Sequence, residues 1–237
     1  MVEAAEPGVL VFVPSYGDAE ALPEIVAGVT ALGTRYRCLV VDDGSPIPVA
    51  VPSCALRVRL PANFGLGIST HVAFDHVLRH GHRALVRVDA DGQHAVEDIP
   101  RLMSDIDARR ADVVVGSRAN HGQDRSSLGW GRRLLKGYFN LAARIMTGSR
   151  APADVNSGFF ALNAVAIAVL NRSTFERFPE PEIFVSACRA GLRVASVQVE
   201  QRQRTHGIST LGIFAAMQMF FRFNVYALNE VLLRRRP

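Results

Sequence analysis

Short apolar runs that alternate with helical patterns are the feature of this chain that most restricts its fold. Five runs rich in valine are each short enough for a strand buried on both faces, and they occupy residues 9–13, 37–41, 56–60, 84–88 and 112–115. Apolar residues at helical spacing predict helices over residues 19–32, 69–79 and 98–110. Strands that alternate with helices favour an α/β fold with a parallel sheet.

The second half of the chain is less regular. It carries a predicted helix over residues 132–146 and strand-like segments at residues 158–162 and 193–200. No linker, internal repeat or low-complexity segment divides the chain. Its 237 residues, 49% of them hydrophobic, suffice for one large core. We therefore predict a single domain.

Arginine clusters carry much of the net charge of +5, and they lie at residues 132–133, 202–204 and 234–236. Such clusters suit phosphates or an anionic surface. Nucleic acid is not expected as a partner, because these residues have neither zinc-finger spacing nor an aromatic stacking platform beside them. The cysteines, Cys38, Cys54 and Cys188, are odd in number and widely spaced, so we expect reduced thiols.

The C-terminal stretch, residues 211–233, is rich in Phe, Met and Leu and is followed by three arginines. A membrane-spanning helix needs an apolar run of about 18 residues without interruption. Gln218 and Arg222 divide this stretch into shorter runs. A helix on a membrane surface, a core helix and a homo-oligomer interface would each give this pattern. The first eight residues do not resemble a secretory signal, so we expect a cytoplasmic protein, with peripheral contact to the inner face of the membrane through this stretch.

Two aspartates, Asp89 and Asp91, follow the fourth apolar run directly. In an extended segment their side chains would project from the same face and converge on one cation. Carboxylate oxygens favour Mg²⁺ or Mn²⁺, and substrate phosphates often complete the coordination shell of such an ion. Gln93 adds a further oxygen and His94 follows it. The pattern predicts a metal site at Asp89, Asp91 and Gln93, and the alternative is an ordinary polar turn.

Polar residues also follow the first two strands, where ligands of a parallel sheet usually bind. The first strand runs into residues 14–18, and the second runs into Asp42 and Asp43. Carboxylates at the end of a buried strand need hydrogen-bond donors, which a base or a ribose would supply. The alternative is a type I turn capped by Asp43 and Ser45.

Taken in order, the motifs of this chain resemble those of the family 2 glycosyltransferases with the GT-A fold, especially the dolichyl- or polyprenyl-phosphate mannosyl- and glucosyltransferase branch. The resemblance spans nearly the whole chain. It rests on motifs that begin at Val11, Val41, Asn63, Asp89, Gly116, Asp154 and Arg204, and that read VFVPSY, VDDGS, NFGLG, DADGQH, GSR, DVNSGF and RTHGIS.

The resemblance implies a Rossmann-like, mostly parallel central sheet and a sugar donor linked to UDP or GDP. It implies a nucleotide-binding half over residues 1–117, an acceptor-side half over residues 118–210 and an amphipathic C-terminal helix over residues 211–237. The residues implied around the nucleoside are Pro14, Tyr16, Asp18, Asp42 and Asp43. Arg204 would reach the donor diphosphate, with Ser209 of the same motif beside it. The residues implied for a lipid phosphate acceptor are Arg118, Arg132 and Lys136.

Three departures from the family pattern bear on the donor. The family's usual Asn-Glu pair after the tyrosine is Gly17-Asp18, and two expected lysines are replaced by Leu66 and Thr210. A catalytically silent relative that binds nucleotide or membrane therefore stays open as an alternative. A nucleotidyltransferase and a nicotinamide-dependent oxidoreductase are disfavoured, because the chain has neither the basic glycine-rich loop nor the Gly-x-Gly-x-x-Gly turn that they would need.

Glycosyl transfer with inversion is a single displacement, in which the enzyme stabilises the leaving diphosphate and aligns the acceptor oxygen. A phosphate acceptor is already ionised near neutral pH and needs no general base, whereas a hydroxyl acceptor needs a carboxylate. Asp154 and Glu182 are the candidates for that base. Glu182 would equally fit the first turn of a helix behind Pro181, and Asp154 would fit a turn or a cap.

Overall fold

The computed structural model describes residues 8–17, 20–118, 130–173, 175, 179–200 and 213–232. Within these residues, seven strands form one sheet in the order β3-β2-β1-β4-β6-β5-β7. In chain order the strands are β1 Val9–Ser15, β2 Tyr36–Asp42, β3 Leu56–Arg59, β4 Ala84–Arg87, β5 Val113–Arg118, β6 Phe160–Asn163 and β7 Val194–Val199.

Seven α-helices flank the sheet in the described part of the chain. They are α1 Leu22–Ala31, α2 Leu66–His80, α3 Ile99–Asp107, α4 Trp130–Thr147, α5 Ala164–Leu170, α6 Glu180–Arg189 and α7 Ile213–Leu232. Two short 3₁₀ turns, Val96–Asp98 and Gly148–Arg150, precede α3 and follow α4. None of the helices in the described residues is both long and apolar enough to cross a membrane.

The direction of β6 brings the two halves of the chain together. β1 pairs in parallel with both β2 and β4, and β5 pairs in parallel with β7, whereas β6 runs antiparallel between β4 and β5. The sheet is thus mostly parallel, as expected. Because β6 runs the other way, its first residue, Phe160, lies opposite Arg87 at the end of β4. The loop before β6 therefore meets the carboxyl ends of the parallel strands.

The core consists of two apolar layers, one on each face of the sheet. Alternate residues of β1 point to opposite faces, so that Val9, Val11 and Val13 join the layer under α1 and α3. Leu10 and Phe12 join the layer that includes residues of α2 and of α4 to α7. All five side chains are fully buried, which confirms for β1 the prediction of a strand covered on both faces. For the run at residues 56–60 that prediction is wrong, because β3 lies at the edge of the sheet and most of its side chains are exposed.

The predicted elements exist, with shifted ends and two additions. The helix expected from residue 19 begins at Leu22, with a proline in its first turn, and the helix expected from residue 69 begins at Leu66, behind Gly65 with its φ of 91°. The pattern did not predict α5, which is only seven residues long and begins where the Asn163 side chain accepts from the Ala166 amide. For α6, the sequence offers only the alternative in which Glu182 lies in the first turn of a helix behind Pro181. The three cysteines are free, as expected.

Candidate active site

The DADGQH loop leaves β4 and closes on itself. Asp91 Oδ1 accepts a hydrogen bond from the Gln93 amide at 3.0 Å, across a turn at Gly92 with φ of 73°. The Asp89 amide donates to His94 Nδ1 at 3.0 Å, and the His94 ring stacks on Phe159 with centroids 4.9 Å apart. β4 ends at Arg87 and Asp91 lies in a turn, so the prediction that both aspartates sit in one extended segment is wrong. The turn fixes the position of Asp91 instead.

Asp89 is held from the sheet side by a buried arginine. The Arg87 guanidinium contacts Asp89 Oδ1 through Nη2 at 2.7 Å and Nε at 3.2 Å, and its Nη1 reaches Glu180 Oε1 at 2.7 Å. Burial alone would lower the pKa of Arg87, but the two carboxylates outweigh it and raise that pKa above its usual range. The guanidinium therefore stays charged.

Gly158 leaves the space that Asp89 occupies. A Cβ added at Gly158 would fall on the Asp89 carboxylate. One residue earlier, the Ser157 hydroxyl donates to the Gly116 carbonyl at 2.7 Å, and Gly116 itself packs closely against Phe159. The DVNSGF, GSR and DADGQH motifs, far apart in sequence, thus meet at the end of β4.

The chemistry of this loop fits a divalent cation that shares its coordination with a substrate. Among the described residues, no group of three or more His, Cys, Asp or Glu side chains could hold a metal ion unaided. The carboxylates of Asp89 and Asp91 and the side-chain amide oxygen of Gln93 supply a few hard oxygen atoms. Phosphate oxygens would have to complete the coordination shell of the cation. Asp89, Asp91 and Gln93 fit that role.

Two of the residues predicted to surround the nucleoside, Asp42 and Asp43, have partners within the chain. Asp42 accepts from the Ser45 amide at 2.8 Å and the Val49 amide at 3.3 Å. Burial would raise the pKa of Asp42, but a hydrogen bond from the Ser45 side chain and those from these two amides, together with Arg59, outweigh it and lower that pKa. Asp42, rather than Asp43, therefore closes the turn with Ser45.

Asp43 binds a different part of the chain, the residues before α2. Its two carboxylate oxygens accept from the amides of Phe64 and Gly65, at 2.9 and 2.8 Å, directly before α2. Gly44, directly after Asp43, has φ of 71°, and a Cβ there would overlap the Ala62 backbone. The VDDGS and NFGLG motifs are thus one interlocked structure.

The end of β1 joins this structure and carries the other nucleoside candidates. The Gly17 amide donates to Ser45 Oγ at 2.9 Å, and the Asp43 amide donates to the Ser15 carbonyl. Tyr16 is 46% exposed at this edge, and Pro14 is half-buried opposite Val41. Asp18 lies outside the described residues.

The acceptor-side candidates partner one another. Lys136 Nζ on α4 lies 2.7 Å from Asp154 Oδ2, while Asp154 Oδ1 accepts from the Asn156 amide at 3.1 Å. One carboxylate oxygen of Asp154 is therefore already occupied by a cation. Arg118 ends β5 and Arg132 lies in the first turn of α4, but their side chains are outside the described part of the structure, as are Arg204 and Ser209 altogether.

Glu182 lies in the first turn of α6, beside Glu180 and behind Pro181, which confirms the helix-start alternative. Its side chain is buried, and burial, reinforced by the nearby Glu180 carboxylate, raises the pKa of Glu182 to about 8. The carboxyl is therefore mainly protonated at neutral pH, where a general base must be ionised.

Sequence reasoning missed Arg87 and Glu180. The available signal was an arginine inside an apolar run, residues 84–88, since a charge buried in a strand requires a partner. The partner could not be named, because Glu180 is 93 residues away in sequence.

Comparisons with known proteins agree with this geometry. A sequence model of the family described as "Glycosyl transferase family 2" matches residues 10–164. The chain is 28% identical to polyprenol monophosphomannose synthase of Mycolicibacterium smegmatis, over 96% of this chain and 89% of that protein. It is 29% identical to undecaprenyl-phosphate mannosyltransferase of Micrococcus luteus, over 86% of this chain and 87% of that protein.

Among solved structures, the chain resembles glucosyl-3-phosphoglycerate synthase from Mycobacterium tuberculosis. Its complex with Mn²⁺, UDP and phosphoglyceric acid matches with a TM-score of 0.70 and 17% identity, over 94% of this chain and 79% of that one. The complex with Mn²⁺ and UDP-glucose matches with a TM-score of 0.69 and 16% identity, over the same shares of both chains. These likenesses confirm the expected GT-A fold.

Proposed function

Because the chain belongs to glycosyl transferase family 2, we propose that it is a metal-dependent, inverting hexosyltransferase that moves a sugar from a UDP- or GDP-linked donor to a polyprenyl phosphate. The observation that carries this proposal is the closed DADGQH loop at the edge where β1, β2 and β4 end, against the glycine of DVNSGF. The named activities of the two polyprenyl-phosphate relatives support the choice of acceptor.

On the donor side, Asp89, Asp91 and Gln93 would hold Mg²⁺ or Mn²⁺. The bound ion would neutralise charge on the departing diphosphate. Arg204 and Ser209 are assigned to the same diphosphate. The residues assigned to the nucleoside are Pro14, Tyr16, Asp18, Asp42 and Asp43.

On the acceptor side, the state of the two base candidates favours a phosphate. Asp154 Oδ2 lies 2.7 Å from Lys136 Nζ, so a hydroxyl would have to displace an ion pair to reach that oxygen. Glu182, with a pKa raised to about 8, mainly retains its proton at neutral pH. A phosphate arrives ionised and needs only cations that hold it in line with the anomeric carbon. Arg118, Arg132 and Lys136 are the cations assigned to it.

Transfer assays test the reaction. The purified chain, Mn²⁺ and undecaprenyl phosphate are incubated with labelled GDP-mannose or UDP-glucose, and the anomeric configuration of the lipid product is read by NMR. We expect an inverted product, and a loss of at least about 100-fold with Asp91→Ala. Asp75→Ala is the matched control, because Asp75 forms an exposed ion pair with Arg79 on α2. Metal-independent transfer, unchanged activity in Asp91→Ala, or transfer only to hydroxyl acceptors would each refute the proposal.

We also propose that an apolar face on α4 and α7 rests on an anionic lipid surface. The two helices pack together through Tyr138 with Phe220 and through Phe139 with Phe223. Their outward residues, here called the two-helix face, are between 54% and 77% exposed and are Leu134, Leu141, Ile145, Met217, Phe221, Val225 and Leu228.

Charge favours a membrane over a second copy of the chain as the occupant of this face. α4 contains no acidic residue, and the one acidic residue of α7, Glu230, is buried and paired with Arg189. Arg144 and Arg222 lie on the same helices, and three further arginines follow at residues 234–236. Exposed apolar side chains flanked only by cations suit anionic lipid headgroups.

Vesicle sedimentation tests this assignment. We expect the chain to bind vesicles that contain phosphatidylglycerol, and Phe221→Glu or Leu141→Glu to weaken binding at least about tenfold. Val165→Glu is the matched control, since Val165 is 62% exposed on α5, outside the two-helix face. A concentration-dependent dimer that the same substitutions dissociate, with no vesicle binding, would assign the face to a homo-oligomer instead.

A further inference from the structure

Arg87 is a charged residue in the interior of the sheet. It ends β4 after three fully buried residues, Ala84 to Val86, and its own side chain is only 3% exposed. Its strand neighbours are Phe12 on β1 and Phe160 on β6, and the guanidinium lies 5.7 Å from the centroid of the Phe160 ring. Burial of a cation among such neighbours is costly unless hydrogen-bonded anions offset it.

The Arg87 guanidinium contacts carboxylates in two places, the loop after β4 and the start of α6. One edge, Nε and Nη2, is directed at a single oxygen of Asp89, and the remaining Nη1 is directed at Glu180 on α6. A planar guanidinium fixes these three directions relative to one another, which a lysine ammonium cannot do. The position of Asp89 is thereby tied to the start of α6 as well as to β4.

This arrangement gives the two oxygens of Asp89 different surroundings. Oδ1 is engaged by Arg87, whereas Oδ2 lies on the side of Gly158 and 3.9 Å from His94 Nε2. The carboxylate is thus held in one rotamer. Glu180 also offsets the positive charge of Arg87, which by itself would oppose a cation bound beside Asp89.

We infer that Arg87 and Glu180 are positioning residues that orient Asp89 for a divalent cation and balance the charge behind it. This inference rests on the metal site of the proposed function. Partners in the second coordination shell typically change metal affinity by 10-fold to 100-fold when they are altered. Arg87 and Glu180 should therefore control cation binding directly, before any sugar is transferred.

Mn²⁺ binding is measured by an electron paramagnetic resonance titration with saturating UDP, and separately with GDP. For Arg87→Lys we expect the Kd for Mn²⁺ to rise at least about tenfold. For Glu180→Gln we expect a smaller rise of several-fold, because the uncompensated guanidinium opposes the cation. Arg189→Lys is the matched control, since Arg189 also pairs with a buried glutamate, Glu230, at the other end of α6. It should leave the Kd unchanged.

The outcomes separate this inference from the metal-site proposal. If Asp91→Ala binds Mn²⁺ as the unaltered chain does, the metal site itself is wrong. If Asp91→Ala loses Mn²⁺ binding while folded Arg87→Lys retains the original Kd, or weakens it no more than Arg189→Lys does, the positioning role is overturned. Should Arg87→Lys fail to fold by circular dichroism, Glu180→Gln decides, and an unchanged Kd in that variant overturns the inference.

Discussion

The two halves of the candidate site hold their carboxylates in different ways. In the half predicted to bind the nucleotide, Asp42, Asp43 and Asp91 accept hydrogen bonds from backbone amides of nearby turns. In the second half, Asp154 accepts from one backbone amide but is also paired with a lysine, and burial raises the pKa of Glu182 to about 8. Backbone amides are fixed once the chain has folded, whereas side-chain partners respond to charge and pH. The donor side is therefore fixed mainly by backbone hydrogen bonds, with Asp89 as the exception that a side chain, Arg87, holds. The carboxylates of the second half depend more on ion pairing and burial.

The largest expected effect tests the contact between the two halves. Gly158→Ala places a methyl group on the Asp89 carboxylate and should displace it. Displacements of about 1 Å in a catalytic group can cost about 100-fold in rate, so we expect a loss of that size in transfer, with weaker Mn²⁺ binding in the presence of nucleotide. Gly137→Ala is the matched control, because a Cβ there meets no atom within 4 Å. Full activity in Gly158→Ala would show that the halves are not coupled at this point.

The backbone-held carboxylates are tested by Asp43→Asn. The amide would turn a donor group toward one of the two backbone N–H groups of Phe64 and Gly65, leaving a buried donor unsatisfied. We expect the free energy of unfolding to fall by about 1–3 kcal/mol in urea denaturation. Asp75→Asn, which alters an exposed ion pair, should change it by less than about 1 kcal/mol. If the two variants lowered the free energy of unfolding equally, the backbone hydrogen bonds of Asp43 would not be what fixes the donor side.

The protonated carboxyl of Glu182 predicts a pH dependence of stability. Its pKa is about 8 in the folded chain and 4.5 ordinarily, so between these values the folded state binds more protons than the unfolded state. Stability should therefore fall as pH rises through this window. Glu182→Gln removes this contribution, and its stability relative to the unaltered chain should rise by up to about 1.4 kcal/mol per pH unit.

Urea denaturation of both chains at pH 5, 6.5 and 8 provides the measurement. Glu24→Gln is the matched control, since Glu24 lies in the first turn of α1 but is exposed. It should show no such trend. A difference between Glu182→Gln and the unaltered chain that is the same at all three pH values would mean that Glu182 is ionised in the folded state. Glu182 would then again be a candidate general base.

The sequence predicted the donor side better than the acceptor side for a physical reason. Valine-rich runs followed by VDDGS and DADGQH are local signals, and they located β2, β4 and their loops. Even there, the partner of each aspartate depended on turn geometry, so that Asp42 closes the turn that was assigned to Asp43. The pairing of Lys136 with Asp154 on the acceptor side, and that of Arg87 with Glu180 behind the metal site, require the antiparallel insertion of β6 and the packing of α6. Neither leaves a periodic trace in the sequence.

The smallest expected effect tests whether the acceptor side contains a base at all. Asp154→Asn keeps an oxygen that can accept from the Asn156 amide and removes only the charge that pairs with Lys136. If the acceptor is a phosphate, transfer to undecaprenyl phosphate should fall by less than about tenfold, because no proton has to be removed.

A general base contributes about 100-fold to 10,000-fold, so its removal gives a different result. A fall of that size in kcat, together with loss of the acidic limb of the pH–rate profile, would show that Asp154 accepts a proton and that the acceptor is a hydroxyl. Lys136→Met supplies the contrast, since it removes a cation assigned to the acceptor phosphate and should raise the KM for undecaprenyl phosphate more than Asp154→Asn does. The reverse order would mean that the acceptor side, like the donor side, acts through its carboxylates rather than through its cations.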